Sequence, residues 1–309
     1  MSTTFGLLLG FAADRVLGDP RRFHPVAGFG RTASRLESHW YADSRAAGAA
    51  YTAALVGTTA VVGVAAERLT RDRPIAHTLV TAAATWTVLG ARSLEREAET
   101  MATLLDEKDI PGARQRLSHL CARDATDLEA DELARATVES IAENTSDACV
   151  APLLWGGALG VPGLLAYRAI NTLDAMVGYK SAKYANFGWA SARLDDLVNL
   201  LPARVCAVLT GVTAGRFAAA RRVWKRDAPQ HPSPNAGPVE AAFAGALDLS
   251  LGGTNSYGSY QEDRGTLGDG PTPAVGDVRR TAVLARRVGF AAVGVAAMLA
   301  AVRKGRTWG

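Results

Sequence analysis

Acidic side chains recur at a four-residue interval in the middle of the chain, where Glu139, Glu143 and Asp147 follow one another. In a helix, this spacing places the three carboxylates on one face. Like charges at this interval repel one another, so we expect a cation to neutralise them. A solvent-exposed acidic face is the alternative interpretation, and the spacing alone leaves both open.

A second polar stretch, residues 167–204, alternates acids with bases. Asn171 and Asp174 are three residues apart and Asp195 and Asn199 are four apart, so each pair shares a helix face. Carboxylate and amide oxygens are hard ligands, suited to a Mg²⁺ ion that carries a nucleotide phosphate. Lysine and arginine bind phosphate oxygens and stabilise the charge that develops during transfer. The stretch predicts a metal–phosphate site, although ion pairs among the same residues would also explain the alternation.

Two proline-containing turns add further polar groups. His24 follows the turn at Asp19-Pro20, and its alternatives are a proton carrier, a ligand or a structural residue. Ser233 and Asn235 lie in the turn His231–Gly237. They either cap the helix that follows or present polar groups to a substrate.

Long uncharged stretches separate these polar groups. The core of a bilayer is about 30 Å thick and takes roughly 20 apolar residues in a helix. Residues 46–66 and 148–167 reach that length without a charge, whereas residues 75–91, 205–215 and 288–302 are shorter. We predict an all-α, multi-pass membrane helical bundle, with buried helices of a soluble protein as the alternative. Polar residues beside such spans mark a functional site by default.

The stretch at residues 148–167 contains helix-breaking residues: Pro152, Gly156, Gly157, Gly160, Pro162 and Gly163. Broken backbone at membrane depth is tolerated where protein or a cavity covers it. We therefore predict a broken or re-entrant hairpin, and an ordinary helix with tolerated glycines is the equal alternative. A hairpin would also keep residues 139–147 and 168–199 on one side of the membrane.

Composition excludes several classes of function. The net charge is +4, but no Lys/Arg run is interleaved with aromatics, so nucleic acid is excluded as a partner. The three cysteines are scattered without CxxC spacing, which argues against a disulfide framework or a zinc site and indicates a reduced compartment. The sequence contains no P-loop and no GxGxxG, GxSxG or HExxH motif. The apolar stretch at residues 5–13 lacks signal-peptide flanks, so we expect it to be retained.

The remaining segments are predicted from their composition. Residues 92–147 form a polar helical region, and residues 252–276, rich in Gly, Thr, Ser, Asn and Pro, form a long loop. No internal repeat is visible, and we treat residues 1–309 as a single membrane-embedded domain.

In order along the chain, the polar motifs resemble those of the CobD/CbiB family, the adenosylcobinamide-phosphate synthases. The resemblance rests on D-R-x-L-G-D-P and H-P-V at 14–26, E-S-I-A-E-N-T-S-D at 139–147, P-G-x-x-x-Y-R-x-x-N-T-L-D-x-M-x-G-Y-K at 162–180, A-R-x-D-D-x-x-N at 192–199, L-P-A-R at 201–204 and S-P-N-x-G at 233–237. Each motif alone is weak, but the ordered set is specific and covers most of the chain. Residues 40–135 carry little of it.

The resemblance implies a multi-pass enzyme of the inner membrane that joins a propionate carboxyl of adenosylcobyric acid to (R)-1-amino-2-propanol or its O-phosphate. The reaction is an ATP-dependent amide ligation, in which we expect ATP and Mg²⁺ to convert the carboxyl into an acyl phosphate. The implied partners are the corrinoid, the aminopropanol or its phosphate, the lipid bilayer and other enzymes of cobalamin assembly. Arginines before the first span place the active-site loops in the cytoplasm, although arginines in the next loop weaken that contrast.

On this resemblance, residues receive three kinds of role. Catalysis is assigned to Glu143, Asp174, Lys180, Arg193, Asp195 and Asp196; metal binding to Glu143, Asp147, Asp174 and Asp196; and substrate binding to Asp19, His24, Asn144, Arg168, Asn171, Tyr179, Asn199, Arg204, Ser233 and Asn235.

Three other classes of protein compete with the ligase. An AmpE-like membrane signalling protein of the same superfamily would need no catalytic constellation. A small-molecule transporter would also place charges near broken helices, but it should show inverted repeats. An alcohol phosphotransferase is suggested by A-R-x-D-D at 192–196, but the spacing does not match and this class ranks last.

Overall fold

The computed structural model describes residues 1–20, 24–179, 181–257 and 260–306. It is mostly helical, with one small two-stranded sheet, so the prediction of a helical framework is confirmed. The chain divides into two compact units, each assembled from separate stretches. The first unit comprises Met1–Gly90, Ala151–Asn199 and Val293–Gly309, and the second comprises Ala91–Val150 and Leu200–Ala292.

The helices, in chain order, are α1 (Ser2–Leu17), α2 (Pro25–Trp40), α3 (Arg45–Thr70), α4 (Pro74–Val88), α5 (Ala91–Asp106), α6 (Ile110–Leu117), α7 (Ala130–Thr145), α8 (Ala151–Leu159), α9 (Val161–Val177), α10 (Trp189–Thr213), α11 (Phe217–Asp227), α12 (Ala236–Leu247) and α13 (Val275–Arg306). A π-helical turn, Ser146–Val150, joins α7 to α8, and a 3₁₀ turn, Ala228–Gln230, follows α11. The strands are β1 (Leu251–Tyr257) and β2 (Tyr260–Leu267).

In the described part of the chain, three helical segments are long and apolar enough to cross a membrane: Arg45–Thr70, Trp189–Thr213 and Val275–Arg303. They contain the predicted stretches at 46–66, 288–302 and most of 205–215. The stretch at 75–91 corresponds to α4, whose 15 residues are shorter than a bilayer span.

Helix α9 packs against α3 along its length within the first unit. Near one end, a Cβ atom added at Gly63 of α3 would lie 2.6 Å from the Cα of Pro162. Towards the other end, Tyr51 and Leu55 of α3 share a buried cluster with Leu173 and Val177 of α9. Early residues of α3 thus meet late residues of α9, so the two helices are antiparallel.

The predicted break is confirmed at Gly160, whose φ of +74° separates α8 from α9. The two helices pack on each other, because a Cβ at Gly163 would lie 2.2 Å from the carbonyl oxygen of Trp155. Glu67 of α3 fixes the turn by accepting a 3.2 Å hydrogen bond from the amide of Val161. Residues 148–167 therefore form part of a helical hairpin and not one continuous rod.

In the second unit, the helical prediction for residues 92–147 is confirmed by α5, α6 and α7. One face of α5 is buried through Leu94, Ala98, Met101 and Leu105, at the intervals of an amphipathic helix. This face packs on α7. The polar composition of the segment thus reflects its opposite, solvated face.

The prediction of a long loop over residues 252–276 is wrong for its first half. Strands β1 and β2 pair antiparallel there, with an irregular register between Gly252 and Thr254. Both Gly252 and Gly253 have positive φ, which accommodates this bulge. The glycine-rich composition predicts a loop, whereas Gly252 and Gly253 in fact adopt the positive φ of an irregular position within β1.

Gly48 of α3 provides a test of close packing. A Cβ atom at this position would lie 1.8 Å from the carbonyl oxygen of Phe187, whereas one at Gly57 would meet nothing within 4 Å. We expect Gly48→Ala to destabilise the detergent-solubilised protein by roughly 1–3 kcal/mol through overpacking. Gly57→Ala, on the same helix, should leave stability unchanged or raise it slightly, since alanine favours helix. Equal thermal unfolding of the two variants would contradict this packing.

Candidate active site

A cluster of polar side chains joins α9 to α10 in the first unit and contains four of the predicted site residues. The hydroxyl of Tyr167 donates to Asn199 Oδ1 over 2.9 Å, and Asn199 Nδ2 donates to Asp195 Oδ2 over 2.9 Å. Asn171 also hydrogen-bonds Asp195, and Asp174 lies close enough to act on its charge. These five residues are called the acid–amide cluster below. The structure thus brings together the two helix faces that sequence spacing had defined separately.

The acid–amide cluster has the donor set of a site for a hard cation. Asp195 Oδ1 is buried and has no hydrogen-bond partner among the described residues. Gly178 leaves room for the second carboxylate, because a Cβ there would lie 2.0 Å from Asp174 Oδ1. Within the described ranges, no three His, Cys, Asp or Glu side chains are grouped to hold a metal ion. A magnesium ion here would depend on two carboxylates, amide oxygens and water or phosphate oxygens, a set that Mg²⁺ commonly uses.

Asp196 acts on the charge of Asp195 as well, but less strongly than Asp174 does. Its carboxylate is 40% exposed and lies 3.8 Å from the guanidinium of Arg193, which is itself 69% exposed. The geometry therefore favours Asp195 over Asp196 as the partner of Asp174. Tyr179 is exposed, and Lys180 lies outside the described residues.

The segment between α9 and α10 is held in place on the side that follows Lys180. Glu37 of α2 accepts 2.8 Å hydrogen bonds from Lys183 Nζ and from the hydroxyl of Tyr184. Asn186 donates to Asp43 over 2.9 Å. The hydrogen bonds that Lys183 donates to Glu37 and to the hydroxyl of Tyr184 raise the pKa of Lys183. The segment that leads into α10 is therefore anchored to α2 and to the residues that follow it.

His24 has a structural role that sequence reasoning had left open. Its Nδ1 accepts a 3.2 Å hydrogen bond from the amide of Val26 and so caps α2. Burial lowers the pKa of His24; nearby Asp19 opposes that shift, and Arg168 adds to it. Asp19 Oδ1 is buried without a hydrogen-bond partner in the described part of the chain. Three predicted substrate-binding residues are thus close together in the first unit.

A buried ionic cluster in the second unit shows how the first carboxylate on the acidic face of α7 is neutralised. Glu139 is buried and forms an ion pair with the guanidinium of Arg123, with side-chain exposures of 1% and 4%. The amide of Gly252 donates to Glu139 Oε1 over 2.7 Å. An arginine of the same chain thus neutralises Glu139, and the exposed-face alternative is wrong for this buried residue. Asp147 lies in the π-helical turn, so the simple spacing rule does not extend to it.

The same unit buries a second acid, Glu240 of α12. Its Oε1 accepts a 3.2 Å hydrogen bond from Arg264 and lies 3.6 Å from His231 Nε2. Burial raises the pKa of Glu240 well above its usual value; Arg264 opposes the shift, while Glu139 and Glu143 add to it. Burial lowers the pKa of His231 to about 4, and Arg264 contributes in the same direction. Near neutral pH, the pair is therefore an uncharged imidazole beside a carboxyl that resists ionisation.

The other predicted residues of the second unit are engaged with the protein. The hydroxyl of Ser233 accepts from the amides of Asn235 and Ala236 over 3.3 Å and 3.1 Å, in the turn that leads into α12. Arg204 donates to Asn235 Oδ1 over 3.1 Å. Asn144 donates to the carbonyl of Ser140 on its own helix over 2.9 Å.

Sequence reasoning gave no role to Arg123, Glu240 or Arg264. Glu240 did carry a signal, since it is the lone charge in the otherwise apolar helix α12. Arg123 and Arg264 are isolated within polar stretches, and only the fold brings them to the buried acids.

The buried pair predicts two opposing pH dependences. An unfolded chain protonates His231 below about pH 6.5, but the folded pKa is about 4, so stability falls as the pH drops through this window. Unfolded Glu240 ionises above about pH 4.5 while the folded carboxyl keeps its proton, so stability falls as the pH rises. We expect Glu240→Gln to flatten the alkaline side of a plot of Tm against pH, and His231→Gln the acidic side.

In each variant, the change in the free energy of unfolding across the corresponding pH window should be smaller than in the wild type by on the order of 1–3 kcal/mol. Slopes are compared within each variant, because His231→Gln also removes the 3.0 Å bond that Ser233 N donates to the ring. Parallel curves for the wild type and both variants would contradict the assignment.

Comparison with known proteins agrees with the motifs. Residues 7–285 match the family described as CobD/Cbib protein. The chain is 51% identical to cobalamin biosynthesis protein CobD of Mycobacterium tuberculosis, over 95% of both chains. It is 42% identical to the protein of that name from Chromobacterium violaceum, over 93% of each chain. Identity to the protein of that name from Rhodobacter capsulatus is 39%, over 91% of this chain and 92% of the relative.

No solved structure matches the chain. The family match spans most of the sequence and includes both polar clusters, and the relatives align over nearly their whole length. The chain therefore belongs to the CobD/CbiB family.

Proposed function

We propose that this protein is a multi-pass enzyme of the inner membrane that acts in cobalamin biosynthesis. It joins a propionate carboxyl of adenosylcobyric acid to (R)-1-amino-2-propanol or its O-phosphate, with ATP as the source of energy. Membership in the CobD/CbiB family and the shared name of the relatives support the pathway. Three helical segments of sufficient length and apolarity support the membrane location.

The observation that carries the proposed reaction is the acid–amide cluster. Buried carboxylates are costly unless they are paired, hydrogen-bonded or bound to a cation. Asp174 and Asp195 lie close together, and Asp195 Oδ1 has no hydrogen-bond partner among the described residues. A cation that carries phosphate groups would offset the repulsion between the two carboxylates.

Amide formation from a carboxylate requires the carboxyl to be activated, and transfer of a phosphoryl group from ATP supplies that activation. Asp174 and Asp195 would hold a magnesium ion, which shields the charge of the phosphate oxygens. Asn171 and Asn199 orient Asp195 through hydrogen bonds. Lys180, Arg168 and Arg193 are the candidates for binding phosphate, as the family motif implies.

We assign a positioning role to the buried cluster of the second unit. Arg123 and the amide of Gly252 hold Glu139 of α7, and Arg264 of β2 holds Glu240 of α12. The cluster thus ties both helices to the β-hairpin. Glu143 is one turn beyond Glu139 on α7, so its position depends on this framework.

The proposal is tested in membranes that contain the protein, with adenosylcobyric acid, ATP, Mg²⁺ and either amine. Product should require ATP. Asp174→Asn and Asp195→Asn should each lower turnover by roughly 100-fold or more, since each removes a charge at the reacting centre. Asp196→Asn should cause a much smaller loss, because Asp196 faces Arg193 at the surface.

The adjacent pair Asp195 and Asp196 makes the comparison sharp, because the same chemical change is made one residue apart. Equal losses in the two variants would overturn the assignment to Asp195. No product from either amine, with folded protein in the membrane, would favour the AmpE-like signalling class. Movement of a solute without amide formation would favour a transporter.

A further inference from the structure

A partly open cavity of about 150 Å³ lies in the first unit, where α2, α3, α4 and α9 meet. Its apolar walls include Val26 of α2, Val88 of α4, and Leu165 and Ala169 of α9. An apolar cavity of this volume accepts a molecule about the size of benzene. The space therefore suits a small molecule of roughly six non-hydrogen atoms, and not a corrin ring.

The polar groups of the cavity wall are the hydroxyls of Thr59, Thr87 and Thr172 and the guanidinium of Arg168. Thr59 and Thr172 line the cavity, but their hydroxyls donate 2.7 Å hydrogen bonds to carbonyls of their own helices. Arg168 is the charged side chain among the described lining residues. A matching ligand has a short apolar body and one end that carries an oxygen or an oxyanion.

A carboxylate lies near the same place. His24 directly precedes Pro25, which lines the cavity, and both Asp19 and Arg168 act on the charge of His24. Asp19 Oδ1 is buried and has no hydrogen-bond partner in the part of the chain that the structure describes. A primary ammonium group would satisfy that oxygen. The combined requirements are an apolar body, an oxygen or phosphate, and an ammonium group.

We propose that this cavity is the subsite for the amine substrate and that its apolar wall selects for the methyl group of 1-amino-2-propanol. Val26, Val88 and Ala169 contact the methyl group, Arg168 binds the hydroxyl or phosphate oxygen, and Asp19 receives the ammonium group. This inference rests on the proposed function and identifies the part of the site that sets amine specificity.

The location suits a substrate of the proposed reaction. Arg168 and Asn171 are three residues apart on α9, which is about 4.5 Å along the helix axis. Arg168 lines the cavity, whereas Asn171 belongs to the acid–amide cluster. Helix α9 thus carries the amine subsite and the candidate phosphate site on neighbouring parts of its surface.

The test is a binding measurement, made by calorimetry on the purified full-length protein without ATP or corrinoid. The ligands are (R)-1-amino-2-propanol and ethanolamine, which lacks the methyl group, each with and without O-phosphate. We expect the wild type to bind the methylated amine roughly 10- to 200-fold more tightly, the range for one methyl-sized group in an apolar pocket.

Ala169→Val fills the cavity and should abolish that preference. Ala175→Val is the matched control, because Ala175 lies on the exposed surface of the same helix. It should leave the preference unchanged. Arg168→Gln should remove any gain in affinity from the phosphate and leave the methyl preference intact. The Tm of each variant without ligand identifies variants that fail to fold. If Ala169→Val is one of them, Leu165→Ala supplies an independent test, because the enlarged cavity should admit 1-amino-2-butanol.

Equal affinity of the wild type for both amines would overturn the proposal, as would an unchanged preference in Ala169→Val. A tightly bound lipid that occupies the cavity and is lost in Ala169→Val would also overturn it. Because binding is measured without ATP and corrinoid, a failure of the ligase assay leaves this test valid. An active ligase without methyl selectivity would contradict the subsite alone.

Discussion

The cost of removing charge from water governs the arrangement of polar groups in both units. A buried carboxylate is tolerated when a cation, a set of hydrogen bonds or a retained proton compensates for the lost hydration. The protein uses all three means. Glu139 is compensated by Arg123 and a backbone amide, Asp195 by two asparagines, and Glu240 by a raised pKa beside Arg264. Asp195 Oδ1, one of the buried oxygens that have no hydrogen-bond partner among the described residues, lies in the cluster where the proposed reaction calls for a cation.

Helices and helix breaks could be predicted from the sequence where residues close together in the chain determine them. Apolar length identified α3, and Gly160 with Pro162 identified the break between α8 and α9, because glycine at positive φ and proline at the first helical turn act within a few residues. The β-hairpin could not be predicted in this way. Its glycines resemble those of a loop, and its strands are stabilised by distant groups such as Glu139, which binds Gly252 across more than a hundred residues of sequence.

The candidate site shows the same division between local and distant information. Spacing alone paired Asn171 with Asp174 and Asp195 with Asn199, but it gave no reason to place the two pairs together. It also did not separate Asp195 from Asp196, since only the direction of each side chain distinguishes a buried carboxylate from a surface ion pair. The role of Arg123 was not predictable, because the cation expected beside Glu139 was sought outside the chain.

The antiparallel pairing of α3 and α9 has a consequence for how a corrinoid substrate would reach the proposed site. Gly48 lies beside Phe187 at one end of α3, near the segment that follows Asp174, whereas Glu67 and Arg303 secure the α8–α9 turn at the other end. Helix α3 is about 39 Å long, enough to cross the hydrocarbon layer. In the proposed membrane location, Asp174 and the α8–α9 turn lie towards opposite ends of this span. A corrinoid modified at such a site would enter and leave through the same aqueous compartment, and the enzyme would need no path for that large polar ring through the lipid.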